Sequence, residues 1–206
     1  MSRTVTEIVT LSFTPETNVS EPVAKAIPII SRQPGFRGLK WGSWEEDQTK
    51  VQMMIHWDDI SSHITFTQSN EYPDLLYQLE GILTATPSII HVHFEGGDEK
   101  ISKLLSDPIV ELATFFNPTD GFEGAMSHTL VVGSQSEGCL GYVRGEVVEE
   151  IAPVEGKAKG KAAYAAISWT SLQARLEATK REEVVQSGGR VVGSVGGYEV
   201  HHVQFQ

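Results

Sequence analysis

Residues 35–46 read GFRGLKWGSWEE, and residues 138–149 read GCLGYVRGEVVE. The glycines of the two stretches match at a constant offset of 103 positions (138 − 35), as the pairs Gly35/Gly138, Gly38/Gly141 and Gly42/Gly145. Matches at one fixed spacing indicate that a supersecondary unit occurs twice in the chain. The sequence therefore predicts an internal duplication.

Three further segments of the first half have counterparts in the second half, in the same order. VTEIVTLSFTP (5–15) matches IVELATFFNP (109–118), VQMMIHWDD (51–59) matches AAYAAISWTS (162–171), and IIHVHF (89–94) matches VHHVQF (200–205). PVEGKAKG (153–160) is an insertion whose Pro, Gly and Lys content predicts a hairpin tip. These matches define two repeats, residues 1–104 and 105–206.

Each half has the periodicity of a β-α-β-β-α-β unit. An alternating strand (5–13; 109–116) precedes a helix (21–31; about 122–132), a two-stranded hairpin, a second helix and a closing strand. We expect Asp58 and Thr170 to cap the second helices, the later of which spans 171–186. A sheet covered by helices on one face must bury its other face. The predicted fold class is α+β, with two ferredoxin-like repeats forming one intramolecular, pseudo-twofold α/β barrel.

The composition restricts the partners that this chain can have. It has 206 residues, with 16 Lys and Arg against 27 Asp and Glu, and a formal net charge of −11. Such a surface repels phosphate groups, so neither nucleic acid nor anionic membrane is expected as a partner. The sequence has no secretory signal pattern, no apolar run near the ~18 residues of a membrane helix, and one cysteine, Cys139. We expect a cytoplasmic protein.

The pattern G-x-x-G…W-G (35–42), a strand that ends in Trp-Asp (57–58) and a helix with F-x-x-S-x-x-Y (66–72) resemble the dimeric α/β barrel proteins related to antibiotic-biosynthesis monooxygenases. The tandem form resembles fused proteins of fungal type. This superfamily includes cofactor-free quinol oxygenases, polyketide cyclases, heme-degrading enzymes and stress proteins. Residues 64–90 lack the Trp and His of the heme-degrading branch, so the resemblance implies no cofactor and a pocket for a polyketide-sized molecule.

Strand alternation indicates which polar side chains face the barrel interior. In the fourth strands we expect the more apolar set to meet the helices, which turns His91, His93, His202 and Gln204 inward. In the third strands the inward set includes His56, Met54 and Tyr164. Polar groups in an otherwise apolar barrel are typical of a small-molecule pocket.

The predicted catalytic residues are His91, His93, His56 and Tyr72. Histidine can remove a proton next to a carbonyl near neutral pH, and Tyr72, Tyr164 or Gln204 can hold the enolate oxygen. The predicted substrate-binding residues are Trp41, Met54, Tyr164, His202 and Gln204, with Trp41 as a stacking platform. The histidines can instead be structural. His91-x-His93 has the spacing of some metal sites, but the sequence indicates no third ligand, and no metal is predicted.

These residues favour a cofactor-independent cyclase or isomerase of secondary metabolism, acting on a polyketide-like or aromatic molecule by acid–base catalysis in the barrel cavity. One alternative is a cofactor-free monooxygenase of a quinol or anthrone. The other is a non-catalytic stress or interaction protein whose interior is filled. Because both sheets lie in one chain, we expect a monomer, with a homodimer through the outer faces as the alternative.

Overall fold

The computed structural model of the protein describes residues 3–153 and 157–206. Its strands are β1 (Val5–Ser12), β2 (Phe36–Ser43), β3 (Lys50–Trp57), β4 (Ser88–Phe94), β5 (Ile109–Phe116), β6 (Cys139–Val147), β7 (Ala162–Trp169) and β8 (Gly197–Val203). Its helices are α1 (Ser20–Ser31), α2 (Ile60–Thr67), α3 (Tyr72–Tyr77), α4 (Gly97–Leu104), α5 (Phe122–Ser134), α6 (Leu172–Ala178) and α7 (Glu182–Val192). Residues 154–156 of the predicted hairpin tip lie outside the described ranges, and Ile151 pairs with Gly160 at its base.

All pairings between neighbouring strands are antiparallel, in the order β2-β3-β1-β4-β6-β7-β5-β8. The four strands of the first half and the four of the second half lie in the same internal order. The fold class is α+β, as predicted. Their registers also agree, because Val5 faces Trp57 in one half and Ile109 faces Trp169 in the other.

The N-cap of α2 is one residue later than expected. The Asp59 carboxylate accepts a hydrogen bond from the Ser62 backbone N–H at 3.1 Å. This bond satisfies a helix N–H that has no partner within the helix. Asp58 lies outside the helix and forms an ion pair with Arg37 at 3.1 Å, so the prediction of Asp58 as the cap is wrong.

The second helix of the second half also differs from the prediction. Ser171 caps α6 in place of Thr170. The single helix expected over 171–186 is two helices, α6 and α7, because the Arg181 backbone is extended between them. The Arg181 side chain bonds the Ser136 hydroxyl at 2.8 Å, which ties this break to the loop before β6.

The two halves meet at two junctions with matching bonds. At the first junction β4 pairs with β6, and the Val148 N–H donates to the His91 carbonyl at 2.8 Å. At the second, between the end strands β2 and β8, the Glu45 N–H donates to the His202 carbonyl at 2.8 Å. Backbone bonds therefore connect the two ends of the sheet order.

The glycine motif has a steric cause at these junctions. A Cβ atom at Gly42 would overlap the Gln204 carbonyl oxygen, and one at Gly145 would overlap the Val92 side chain. Glycine allows this close approach of two backbones because it has no side chain. Any larger residue at position 42 or 145 would push the two halves apart.

The sheet has two buried faces with different neighbours. The inner face meets a core to which both halves contribute, with Ile8, Met54, Val92, Leu112, Val143, Tyr164, Ala166 and Val203 among its members. Helix α4 adds Ile101 to this core, and Leu105 at its C-cap joins it; both side chains are fully buried. The helix-covered face of the first half packs Val9, Met53, Ile55 and Trp57 against α1, α2 and α3.

Candidate functional site

The side chains of the fourth strands, β4 and β8, point to the faces opposite to those expected. His91 lies opposite Glu7, which also lies opposite Ile55, so all three side chains are on the helix-covered face. Val92 and Phe94 instead belong to the inner core. The prediction failed because the more apolar set of each fourth strand packs into the core between the two halves, whereas His91 and His202 meet the buried carboxyl groups of Glu7 and Glu111 beneath the helices.

The other residues predicted to point inward from these strands follow the same correction. His202 lies opposite Glu111 on the helix-covered face of the second half. Gln204 is exposed to solvent. His93 lines a surface cleft of about 530 Å³, and its Nδ1 atom lies 2.9 Å from the Thr4 carbonyl oxygen. The predicted barrel-interior site of His91, His93, His56 and Tyr72 is therefore not assembled.

The third-strand residues and Trp41 occupy separate places. Met54 is fully buried in the inner core, and Tyr164 packs there edge-on against Phe94. His56 is on the inner face, with its Nδ1 atom 2.9 Å from the Thr6 hydroxyl. Trp41 packs on the helix-covered side of the first half and contributes to none of the cavities described below.

An open pocket of about 280 Å³ lies at one end of the inner face, and its lining includes Tyr164, Trp44, Gln52 and His201. The His201 Nε2 atom lies 3.0 Å from the Gln52 Oε1 atom. Within residues 3–153 and 157–206, the Tyr164 hydroxyl and the His201 Nδ1 atom have no hydrogen-bond partner. Neither His91 nor His93 reaches this pocket.

A second, apolar pocket lies between the sheet and helices α1, α2 and α3 of the first half. Three of its lining residues are polar: Glu7, His63 and Tyr72. Its apolar lining consists of Val9, Leu11, Val23, Ala26, Ile30, Met53, Ile55, Phe66, Leu75, Leu76, Leu79, Pro87 and Ile89. The free space is about 60 Å³, which is room for about two water molecules. We call this space the first-half pocket.

Glu7 is the acidic group of the first-half pocket. Alternation along β1 places it between the buried Val5 and Val9, and only 4% of its surface is exposed. Its Oε2 atom accepts a hydrogen bond from the Trp57 indole N–H at 2.8 Å. Burial raises the pKa of Glu7 to about 7, although the indole bond opposes this shift. Glu7 can therefore exchange a proton near neutral pH.

A row of side chains leads from Glu7 to the surface. The His63 Nε2 atom, on α2, lies 3.3 Å from the Glu7 Oε1 atom, and His63 Nδ1 lies 2.8 Å from His91 Nε2. His91 Nδ1 lies 2.5 Å from Glu149 Oε1. Burial, with the nearby His91 imidazole, lowers the pKa of His63 to about 4, so His63 is neutral at pH 7.

Tyr72 is the one predicted catalytic residue that joins Glu7 in this pocket. Its position at the start of α3 places its ring edge-on against Phe66, with the centroids 5.3 Å apart. Burial, and then the charge of Glu7, raises the pKa of the Tyr72 hydroxyl. The hydroxyl therefore stays protonated and can donate a hydrogen bond.

The second half has a different arrangement around the matching carboxylate. Arg175 occupies the place of His63, four residues after the helix cap, and its Nε atom donates to Glu111 Oε2 at 2.6 Å. His202 lies between Glu111, at 3.5 Å, and Glu46, at 2.5 Å. Burial alone would raise the pKa of Glu111, but the neighbouring His202 and Arg175 outweigh burial and the net shift is downward. Glu111 is therefore ionised at neutral pH.

The sequence analysis missed Glu7, His63 and Glu149 as site residues. An acidic residue inside the apolar strand VTEIVTLS was a usable signal, because an unpaired buried carboxylate is costly and its retention needs a reason. His63 and Glu149 had no comparable signal, since their contacts join elements that are far apart in sequence.

The described ranges, 3–153 and 157–206, hold no group of three His, Cys, Asp or Glu side chains placed to bind a metal ion. Within the same ranges, none of the helices has the length and apolar character needed to cross a membrane.

No protein-family profile and no curated protein sequence matches this chain. Solved structures do match it. An anthrone oxidase-like protein superposes with a TM-score of 0.73 and 16% identity, over 100% of this chain and 92% of the other. A proposed monooxygenase from Fusobacterium nucleatum superposes with a TM-score of 0.63 and 10% identity, over 99% of this chain and 93% of the other. A proposed monooxygenase from Lactobacillus acidophilus superposes with a TM-score of 0.60 and 12% identity, over 99% of this chain and 94% of the other. This chain has the fold of these monooxygenase-like proteins, as the resemblance implied.

Proposed function

We propose that this chain is a cofactor-independent oxygenase of an apolar aromatic substrate of the quinol or anthrone type, with the first-half pocket as its active site. The observation that carries the proposal is Glu7, a buried carboxyl that titrates near neutral pH in an apolar pocket. A general base works best when its pKa lies near the working pH. The names of the similar structures support the reaction class, and the fold allows it.

The reaction needs a base, a hydrogen-bond donor to the enolate oxygen, and dioxygen. Glu7 takes a proton from a CH₂ group that is conjugated with a carbonyl, and the electron pair moves through the conjugated system to the carbonyl oxygen. The Tyr72 hydroxyl donates a hydrogen bond to that oxygen, which stabilises the developing charge in the water-poor pocket. The electron-rich enolate then reduces dioxygen. The net change is CH₂ + O₂ → C=O + H₂O, so the substrate supplies all four electrons.

Substrate entry requires the pocket to expand. Pockets for small molecules have volumes of roughly 300–1,000 Å³, and the first-half pocket has about 60 Å³. Helix α3 is the element that can move, because all six of its residues are at least partly exposed. Leu76 and Tyr77 of this helix are 47% and 72% exposed. We propose that α3 swings outward to admit the substrate and covers it afterwards.

A cyclase or isomerase is the second candidate, because it needs the same first proton transfer. The Tyr72 hydroxyl beside Glu7 favours it, since an enolate held by a donor can attack a second carbonyl of the same molecule. Oxygen dependence separates the two reactions. A non-catalytic role is the remaining alternative, and the small free space in the pocket agrees with it.

We also propose that residues 1–104 and 105–206 are two repeats whose sheets close into a single barrel within a monomer. The matched backbone bonds at the two junctions, β4–β6 and β2–β8, support this arrangement. The shared inner core supports it as well, because it would be exposed in an isolated half.

The test is turnover of a panel of anthrones, hydroquinones and linear polyketide mimics, followed by product formation with and without oxygen and by oxygen uptake. An oxygenase consumes one O₂ for each product, whereas a cyclase works equally well without oxygen. Glu7→Gln keeps the shape of the side chain and removes the base, so turnover should fall by at least about 100-fold. Glu16→Gln, on an exposed glutamate, is the control. Full turnover by Glu7→Gln would rule out this active site.

A further inference from the structure

We propose that His63, His91 and Glu149 form a proton relay that connects Glu7 in the first-half pocket with the surface cleft. The inference rests on the proposed function, because it supplies the route by which Glu7 loses the proton taken from the substrate. It assigns tasks to one residue that the second half of the chain contributes, Glu149, and to two histidines.

The path is continuous and shielded from water at its inner end. Glu7 Oε1 and His63 Nε2 are in ion-pair contact at 3.3 Å, and the hydrogen bonds from His63 to His91 and from His91 to Glu149 measure 2.8 and 2.5 Å. The side chains of Glu7, His63 and His91 are each less than 10% exposed, whereas 35% of the Glu149 side chain is exposed. Glu149 lines the cleft of about 530 Å³, so a proton that reaches it can pass to bulk water.

Both ends of the path are held in fixed orientations. The Trp57 indole N–H binds Glu7 Oε2, which leaves Oε1 facing His63. The His91 backbone N–H donates to Glu149 Oε2 at 2.8 Å, which leaves Oε1 facing the His91 ring. A proton can therefore move along the path without rotation of either carboxyl group.

The bonding pattern allows two proton arrangements with one proton in every link. In the first, Glu7 is protonated and donates to His63 Nε2, His63 Nδ1–H donates to His91 Nε2, and His91 Nδ1–H donates to the Glu149 carboxylate. In the second, each bond runs in the opposite direction and the proton resides at the His91–Glu149 end. Moving one proton out of Glu7 converts the first arrangement into the second, since each imidazole accepts on one nitrogen and releases from the other.

The second half shows that the fold alone does not create such a path. There the Arg175 guanidinium, which cannot accept a proton, stands in the place of His63. His202 lies between the carboxylates of Glu46, which it hydrogen-bonds, and Glu111, 3.5 Å away. The two carboxylates outweigh the effect of burial, so the pKa of His202 is raised. A proton on His202 is held there instead of being passed on.

The outer end of the relay, at Glu149, opens into a cleft with many charged side chains. The cleft beside Glu149 is also lined by Arg3, Glu95, Arg144, Glu146, Glu150 and Lys161. His93 faces the same cleft. At the inner end, the titratable groups in the pocket are Tyr72 from α3 and His63 from α2. These are the titratable and charged groups that line the two spaces at the ends of the relay.

Glu149→Gln tests the relay without a substrate. The His91 backbone N–H will bind the amide oxygen, so the amide NH₂ faces His91 Nδ1 and must donate to it. His91 then carries its proton on Nε2 and donates to His63, which in turn carries its proton on Nε2 and points it at Glu7. We expect nitrogen-15 NMR of the neutral rings, with Glu7 protonated, to show both histidines as Nδ1–H tautomers in the wild type and as Nε2–H tautomers in the variant.

Glu46→Gln is the matched control, because Glu46 makes the same two contacts with His202 at the other junction. This variant should leave the tautomers of His63 and His91 unchanged. An unchanged tautomer of His63 in Glu149→Gln would overturn the relay. An equal change in the tautomer of His63 in Glu46→Gln would also overturn it. Either result is independent of whether the chain is an oxygenase.

A turnover experiment then tests the task of the relay, using a substrate found in the panel above. Glu149→Gln should complete one fast turnover, because Glu7 starts ionised at pH 8, and then slow about tenfold or more in steady state, with recovery when imidazole buffer is added. Glu7→Gln should lose the first turnover as well. Steady-state rates equal to the wild type in Glu149→Gln would contradict the relay and leave Glu7 as the base untouched.

Discussion

Glu7 and Glu111 occupy matching positions in the two halves, yet their chemistry is opposite. Both are buried, with 4% and 9% of their surfaces exposed, and each faces a histidine of the adjacent strand. Burial raises the pKa of Glu7 to about 7, whereas the net shift in the pKa of Glu111 is downward. Burial alone therefore does not decide the protonation state of a carboxyl group in this fold.

Two neighbours make the difference: His202, which lowers the pKa of Glu111, and the residue four positions after the helix cap. His63 is neutral and can take part in proton exchange with Glu7, whereas Arg175 is a fixed cation that holds Glu111 as an anion. The second half thus uses its carboxylate for an ion pair, and the first half keeps a carboxyl that can change its charge.

Exchanging these two residues tests the comparison with the largest expected effect. His63→Arg should hold Glu7 ionised and lower its pKa, because the guanidinium replaces the neutral imidazole. Turnover should fall by about 1,000-fold, since the base loses its proton affinity. Arg175→His should leave turnover within about twofold and raise the pKa of Glu111. Carbon-13 NMR titration of the glutamates, with kcat, measures both. A wild-type pKa of Glu7 in His63→Arg would show that Arg175 is not the cause of the difference.

The pH dependence of stability should separate the halves with a smaller effect. The pKa of Glu7 rises from 4.5 to about 7 on folding, so its contribution to stability is complete below pH 4.5 and is lost as the pH rises through 7. Glu7→Gln should therefore match the wild type at low pH and be more stable at pH 8, by up to about 3 kcal/mol.

Glu111→Gln should behave in the opposite way. The pKa of Glu111 is lowered on folding, so its contribution is present above pH 4.5 and is lost on acidification. The variant should lose about 2–3 kcal/mol at pH 8, because Arg175 loses its partner, and less at low pH. Urea unfolding at several pH values measures both variants. Parallel pH profiles for the two would contradict the comparison.

The smallest expected effect concerns Tyr72, which lies in the first-half pocket beside Glu7. Tyr72→Phe removes only the hydroxyl, so kcat should fall by about tenfold, the value of one hydrogen bond to the enolate. Thermal unfolding should be unchanged, because the ring still packs against Phe66. Leu79→Ala, in the same pocket, is the control for packing. An equal loss of kcat in both variants would assign Tyr72 a packing role alone.

The strand order within each half was predictable because apolar alternation and the glycine spacing are local signals. The direction of the fourth-strand side chains was not, since it depends on the register that places His91 opposite Glu7. Assigning the more apolar set to the helices gave the wrong face for β4 and β8 alone, because His91 and His202 meet buried carboxyl groups under the helices. The contact of Glu149 with His91 spans 58 positions and crosses a junction, and periodicity carries no information about it.

That contact also has an evolutionary consequence. The sequence around Glu149 belongs to the second half, but under the relay its selection depends on the chemistry of the first. Recombination that joined the first half of this protein to the second half of a relative would conserve the pocket and still separate Glu7 from its exit, unless position 149 kept an ionisable carboxyl. We expect the two halves to be inherited together and to tolerate exchange poorly.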